Sequence, residues 1–173
     1  MRGFTLVETL VAITIIALAI TGPFYAVQQA LSASRSARDQ LIASSLAQEG
    51  VEYVRGIRDG NYLYVLANPA STRSWLYGLD GTSSSRNCIS SDCVVDSVNN
   101  TVSNSVAALY RRTDGVYVQQ AVSGAVQTPF TRRVRLSTVS GSTTEIVVTV
   151  TVSWSTKGTA HEVRIVERLH NWL

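Results

Sequence analysis

Gly3-Phe4-Thr5-Leu6-Val7-Glu8 stands at the head of an apolar run that reaches Val27, and its reading decides the rest of the chain. Between Phe4 and Val27 the one charged side chain is Glu8. A charge near the centre of a bilayer costs about 2.5–3.5 kcal/mol on insertion scales, so one kept in an apolar run marks a functional site. Thr9 to Val27 are uncharged, which is close to the ~20 residues that a spanning helix needs. A cleaved secretory signal is the competing reading. Arg2 would supply its basic start, but Glu8 lies inside the run. Thr21-Gly22-Pro23 offers no small-residue cleavage pattern behind it, and the small residue Gly3 lies in front.

Outward from this run, helical periodicity continues past the membrane. Ile42, Leu46, Tyr53 and Ile57 recur at helical spacing, with Val54 beside them and Leu41, Ala47 and Val51 widening the stripe. Gln40, Gln48, Glu52 and Arg55 lie between, so residues 28–59 are expected as an amphipathic helix with one face on a globular head. A helix from Phe4 to Ile57 would be roughly 80 Å long at 1.5 Å per residue. Gly22-Pro23 is expected to interrupt and kink it, because proline removes a backbone bond. Gly56 and Gly60, with Asp59 and Asn61, read as its stop.

Residues 60–115 lose the periodicity and read as a long connecting loop. Thr82 to Asn87 is almost all Ser, Arg and Asn, and Trp75-Leu76-Tyr77 is an aromatic piece expected to tuck onto the helix or sheet. Cys88 and Cys93 lie in this loop and read as one short disulfide, since a metal reading lacks further soft ligands nearby. Strands follow. Val116 to Val122 is one, and Phe130, Arg132, Val134 and Leu136 share a face of the next. In Glu145 to Ser155, Ile146, Val148, Val150, Val152 and Trp154 alternate with Val147, Thr149, Thr151 and Ser153, the pattern of a half-buried antiparallel strand. Ser155 to Thr159 is a turn, and a final strand directs Val163, Ile165 and Leu169 inward. One long helix followed by strands on short turns predicts an α+β fold, a helix on an antiparallel meander spanning 116–173.

No catalytic constellation is evident, and no cofactor or metal is expected. His161 reads as the exposed start of a strand and His170 as part of a tail. Asp92 and Asp96 flank Cys93 without a recognisable calcium loop, and Asn99-Asn100-Thr101 matches a glycosylation sequon. The formal net charge of +3 is small. Its basic concentration lies in Arg132, Arg133 and Arg135, with Arg111, Arg112, Arg164 and Arg168. These arginines read either as DNA contacts or as a solvated face paired with Glu145, Glu162 and Glu167.

Gly3-Phe4-Thr5-Leu6-Val7-Glu8 before an apolar run resembles the N-terminal signal of type IV pilins and pseudopilins, and Ala47 to Arg55 is similar to stretches of minor pilins and minor pseudopilins. The resemblance implies a pilin-like fold with residues 1–3 as leader, shorter than most in the family, and 4–27 as the membrane part of the helix. It implies cleavage by a prepilin peptidase between Gly3 and Phe4, N-methylation of Phe4, and a role for Glu8 in assembly by neutralising the terminal amine of a neighbouring subunit. The partners implied are other pilin or pseudopilin subunits, the peptidase and an inner-membrane assembly platform. The expected location is the inner membrane, single-pass, with the N-terminus cytoplasmic and the head outside, then a filament of a type IV pilus or type II secretion system. The rivals are a DNA-binding minor pilin serving uptake, with Arg132, Arg133 and Arg135 as contacts, and a signal-anchored envelope protein that does not polymerise.

Overall fold

The computed structural model describes Gly3, residues 5–82 and residues 86–171. It divides into two units, Met1–Leu41 and Ile42–Leu173. One helix, α1 (Leu6–Ala67), supplies nearly all of the first unit and the first element of the second.

In the first unit α1 has no buried face. Leu10, Ile13, Ile16, Leu18 and Ile20 point in all directions and are all exposed. A helix that is apolar all round belongs in a membrane or a large core rather than against a single sheet, and this stretch is long and apolar enough to cross a bilayer. The helix is continuous through Gly22 and Pro23. The interruption expected there is therefore not a break in secondary structure. Proline deletes one backbone donor, and the helical hydrogen bonds on either side are sufficient to carry the segment through.

In the second unit the other part of α1 lies on a sheet. Ala43, Leu46, Ala47, Gly50, Val51, Val54, Arg58 and Asn61 are buried, at steps of three and four residues. Ile42, Tyr53 and Ile57 flank this stripe half-buried, whereas Leu41 is exposed. Gly50 permits the close approach of helix and sheet, since a Cβ there would lie 3.0 Å from Val150 Cγ1 and 3.3 Å from Arg132 Cδ. The helix does not stop at Gly56–Asn61 but runs on to Ala67. Asn61 explains the extension: it is buried, and its amide donates to the carbonyls of Trp75 and Tyr77. Tertiary contact thus outweighs the unfavourable glycines, about 1 kcal/mol each. Asn68, whose side chain donates to Tyr64 O, and Pro69 end the helix.

The strands are β1 (Val94–Asp96), β2 (Thr101–Ser103), β3 (Ala108–Arg111), β4 (Tyr117–Val118), β5 (Val126–Thr138), β6 (Glu145–Thr156) and β7 (Thr159–His170). The main sheet has the order β4-β3-β5-β6-β7 and is antiparallel throughout. The long strands lie where the alternation places them, with Phe130, Val134, Leu136, Ile146, Val148, Val150, Val152, Trp154 and Leu169 buried beneath the helix. The strand expected at 116–122 shrinks to two residues. The segment expected as loop instead contains β1, β2 and β3, which are too short for periodicity to reveal. Cys88 and Cys93 are joined and fully buried. Their backbones continue the sheet edge, Leu136 N donating to Cys88 O and Cys93 exchanging two hydrogen bonds with Val134. The middle of the connecting segment is therefore part of the core rather than a surface loop.

Candidate assembly segment and basic face

The N-terminal segment is built from Thr5 upward. Thr5 precedes the helix, and its Oγ1 accepts the N–H of Glu8 at 3.3 Å. Thr5-x-x-Glu8 is thus an N-terminal capping arrangement, with the acidic residue in the first turn, where the helix dipole favours negative charge. Glu8 is exposed, as are its apolar neighbours Leu6, Val7 and Leu10. Farther along, the hydroxyls of Thr9, Thr14 and Thr21 donate to the carbonyls of Leu6, Val11 and Leu18 at 2.8, 2.8 and 2.9 Å. Each hydroxyl is satisfied within the helix, as an environment without water requires. Nothing in the sequence singles these threonines out, since a carbonyl at i−3 is available to any threonine on a helix. Phe4, expected as the modified terminus, lies outside the described residues, as do Met1 and Arg2.

The basic face divides in two. Arg132 alternates inward with Phe130 and Val134 and is 1% exposed. Its guanidinium donates to Leu46 O at 3.0 Å and to Val95 O at 2.6 Å, and it lies 3.2 Å from Glu49. It joins helix, β1 and β5, and it cannot touch DNA; that part of the expectation is corrected. The reason is the strand's own period, which buries this position whatever its charge. Glu49 also accepts from Ser97 Oγ, tying the β1–β2 turn to the same cluster.

Arg133 and Arg135 lie on the outer face. The register aligns Arg133 with Thr151 and Arg164, and Val147 with Arg168. Several of these charges are paired: Arg135 with Asp92 at 3.4 Å, Arg164 with Glu162 at 3.2 Å and Arg168 with Glu145 at 3.6 Å. Glu167, expected on that face, instead points toward the helix and pairs with Arg55, whose pKa is raised chiefly by this hydrogen bond. His161 is not exposed but half-buried, stacked on Trp154 at 5.4 Å. His170 lies beside Glu145.

Asp96 is a hub that no sequence pattern announced. It is 1% exposed, yet its carboxylate accepts from the N–H groups of Val98, Asn99 and Gln119 and from the Asn99 side chain, at 2.8–3.1 Å. Burial pushes its pKa up, but these donors outweigh burial and hold it below the ordinary 3.8. Its lone pairs are committed to the β1–β2 turn and to the end of β4, which leaves nothing for calcium. Among the described residues no cluster of three or more metal-ligating side chains occurs. Asn99 of the sequon is engaged by the same carboxylate. Asn100 accepts from the Tyr53 hydroxyl, whose pKa is raised by burial and then by the charge of Asp96.

The described residues thus combine a capped acidic first turn on an unburied apolar helix with a helix-on-sheet unit, an α+β arrangement. The family model that describes the prokaryotic N-terminal methylation motif matches residues 1–22. Over these residues the chain is similar to proteins that carry this motif, type IV pilins and pseudopilins among them. No curated protein and no solved structure matches the chain.

Proposed function

We propose that this protein is a minor subunit of a type IV pilus or type II secretion filament, stored in the inner membrane and assembled through its N-terminal helix. The observation that carries this is the methylation motif at residues 1–22, set on a helix that is apolar on every side. A prepilin peptidase cuts between Gly3 and Phe4, and Phe4 is N-methylated. The new amine and Glu8 are then about one helical turn apart along the chain. Each is costly to leave unpaired in an apolar layer. Pairing Glu8 of one subunit with the amine of its neighbour removes both costs and gives assembly a register. Gly22-Pro23 supplies a weak point where the helix bends as subunits pack. The mechanism is association rather than catalysis.

Intact-mass measurement on protein purified from membranes of a host with a prepilin peptidase tests the processing. A mass lacking Met1-Arg2-Gly3 and carrying one added methyl group is expected; a retained leader overturns the reading. Glu8→Ala tests assembly: the variant inserts and folds normally but enters filaments poorly, and normal incorporation refutes the role of Glu8. The DNA-uptake reading loses Arg132, which is buried, and keeps Arg133 and Arg135 on the outer face, the latter beside Asp92.

A further inference from the structure

We propose that Arg35 and Arg38 form a clamp for the phosphates of outer-leaflet phospholipids, and that this clamp fixes the depth at which the stored subunit sits in the membrane. The proposal rests on the membrane-stored reading above. Residues 9–34 contain no charged side chain, so Arg35 is the first charge after Glu8. The segment is helical throughout. From Glu8 to Arg35 the rise is therefore about 40 Å, and to Arg38 about 45 Å, at 1.5 Å per residue. A bilayer is about 30 Å thick across its hydrocarbon and about 40–45 Å including the headgroups. With Glu8 at the cytoplasmic headgroups, Arg35 and Arg38 lie at the opposite ones.

A clamp is needed because composition alone does not end the span. The apolar run thins gradually after Val27 into Gln28-Gln29-Ala30-Leu31-Ser32-Ala33-Ser34, which has no charge to stop it from sinking. The uncharged stretch exceeds the hydrocarbon thickness by roughly two turns, so several depths would be nearly equivalent in energy. Arg35 and Arg38 are three residues apart and thus share a face. Both are exposed, and neither is ion-paired among the described residues. Asp39, half-buried, is the acidic group nearest in sequence; it lies one turn beyond Arg35 on the same helix and is adjacent to Arg38, so it does not share Arg38's face. Planar guanidinium forks match phosphate oxygens, and arginine is the side chain best suited to that contact.

The full chain is reconstituted into vesicles of phosphatidylethanolamine and phosphatidylglycerol, with an environment-sensitive fluorophore on an introduced Ala30→Cys. The native cysteines are joined and do not label. Depth is read by quenching with lipids spin-labelled at different acyl positions. The parent protein should hold the label at one depth near the headgroup boundary. Arg35→Gln with Arg38→Gln should let it sink by about one helical turn, roughly 5 Å, and broaden its depth distribution. Arg35→Lys with Arg38→Lys should restore most of the parent depth. An unchanged depth in the glutamine variant overturns the clamp while leaving the membrane reading intact. A label fully exposed to water in the parent protein overturns both.

Discussion

Asp96 keeps a negative charge where solvent scarcely reaches, because four N–H donors surround it. Its folded pKa lies below that of the unfolded chain, so it contributes stability that is complete above the unfolded value. That contribution is lost as pH falls through about 4 and below. Urea titrations of the head at several pH values should therefore show an acid limb that Asp96→Asn flattens. At neutral pH the same substitution should cost about 1–3 kcal/mol, because an amide nitrogen cannot accept the donors that the carboxylate oxygen did. A variant that keeps the parent acid limb would remove Asp96 as its source. Arg132 poses the complementary case. Arg132→Ala leaves a cavity and unpartnered Val95 O, at about 2–4 kcal/mol. Arg132→Met, which fills most of the volume, should cost clearly less, since half-exposed Glu49 retains access to water and to Ser97.

Three glycines of α1 separate helix propensity from packing. Gly56 and Gly60 have nothing within 4 Å of a built Cβ, whereas Gly50 faces buried Val150 and Arg132. Gly56→Ala and Gly60→Ala should each stabilise the head by about 0.5–1 kcal/mol, the ordinary helical preference for alanine. Gly50→Ala should do the reverse despite the same propensity gain, because β-branched Val150 and hydrogen-bonded Arg132 have little room to give. Thermal melts of the three variants decide it; three equal shifts would mean that the helix is not seated this closely. The β6–β7 hairpin gives a second test. Its two loop residues, Lys157 and Gly158, both have positive φ, 51° and 82°, the geometry in which Asn-Gly is favoured. Lys157→Asn should raise the melting temperature, and Gly158→Ala should lower it, since a Cβ in the left-handed region costs about 1–2 kcal/mol.

At the scale of the whole molecule, the sequence disclosed what repeats over many residues. The helix and the strands β5, β6 and β7 are long enough for their periods to show, and the N-terminal methylation motif is local and compact. The strands β1, β2 and β3 are too short for a period to show, β4 is only two residues of the strand expected at 116–122, and the Asp96 hub is closed by Gln119, 23 residues away. At Arg132 the strand period outranks the charge: its alternation with Phe130 and Val134 places it in the core. Among the described residues, those buried in the core all come from Ile42 onward, and none from the N-terminal apolar run. Folding and assembly should therefore be separable. A chain beginning at Gln28 should unfold cooperatively, with a melting temperature within about 2–4 °C of the full chain in detergent, the shift expected of less than about 1 kcal/mol. Glu8→Ala and Pro23→Ala should leave that temperature unchanged in the full chain. Reducing the Cys88–Cys93 disulfide should lower it in both, because closing so small a loop is worth about 2 kcal/mol and its backbone pairs with β5. A shortened chain that melts far lower would mean that the N-terminal unit supports the head, and a filament defect in Glu8→Ala could then no longer be assigned to assembly alone.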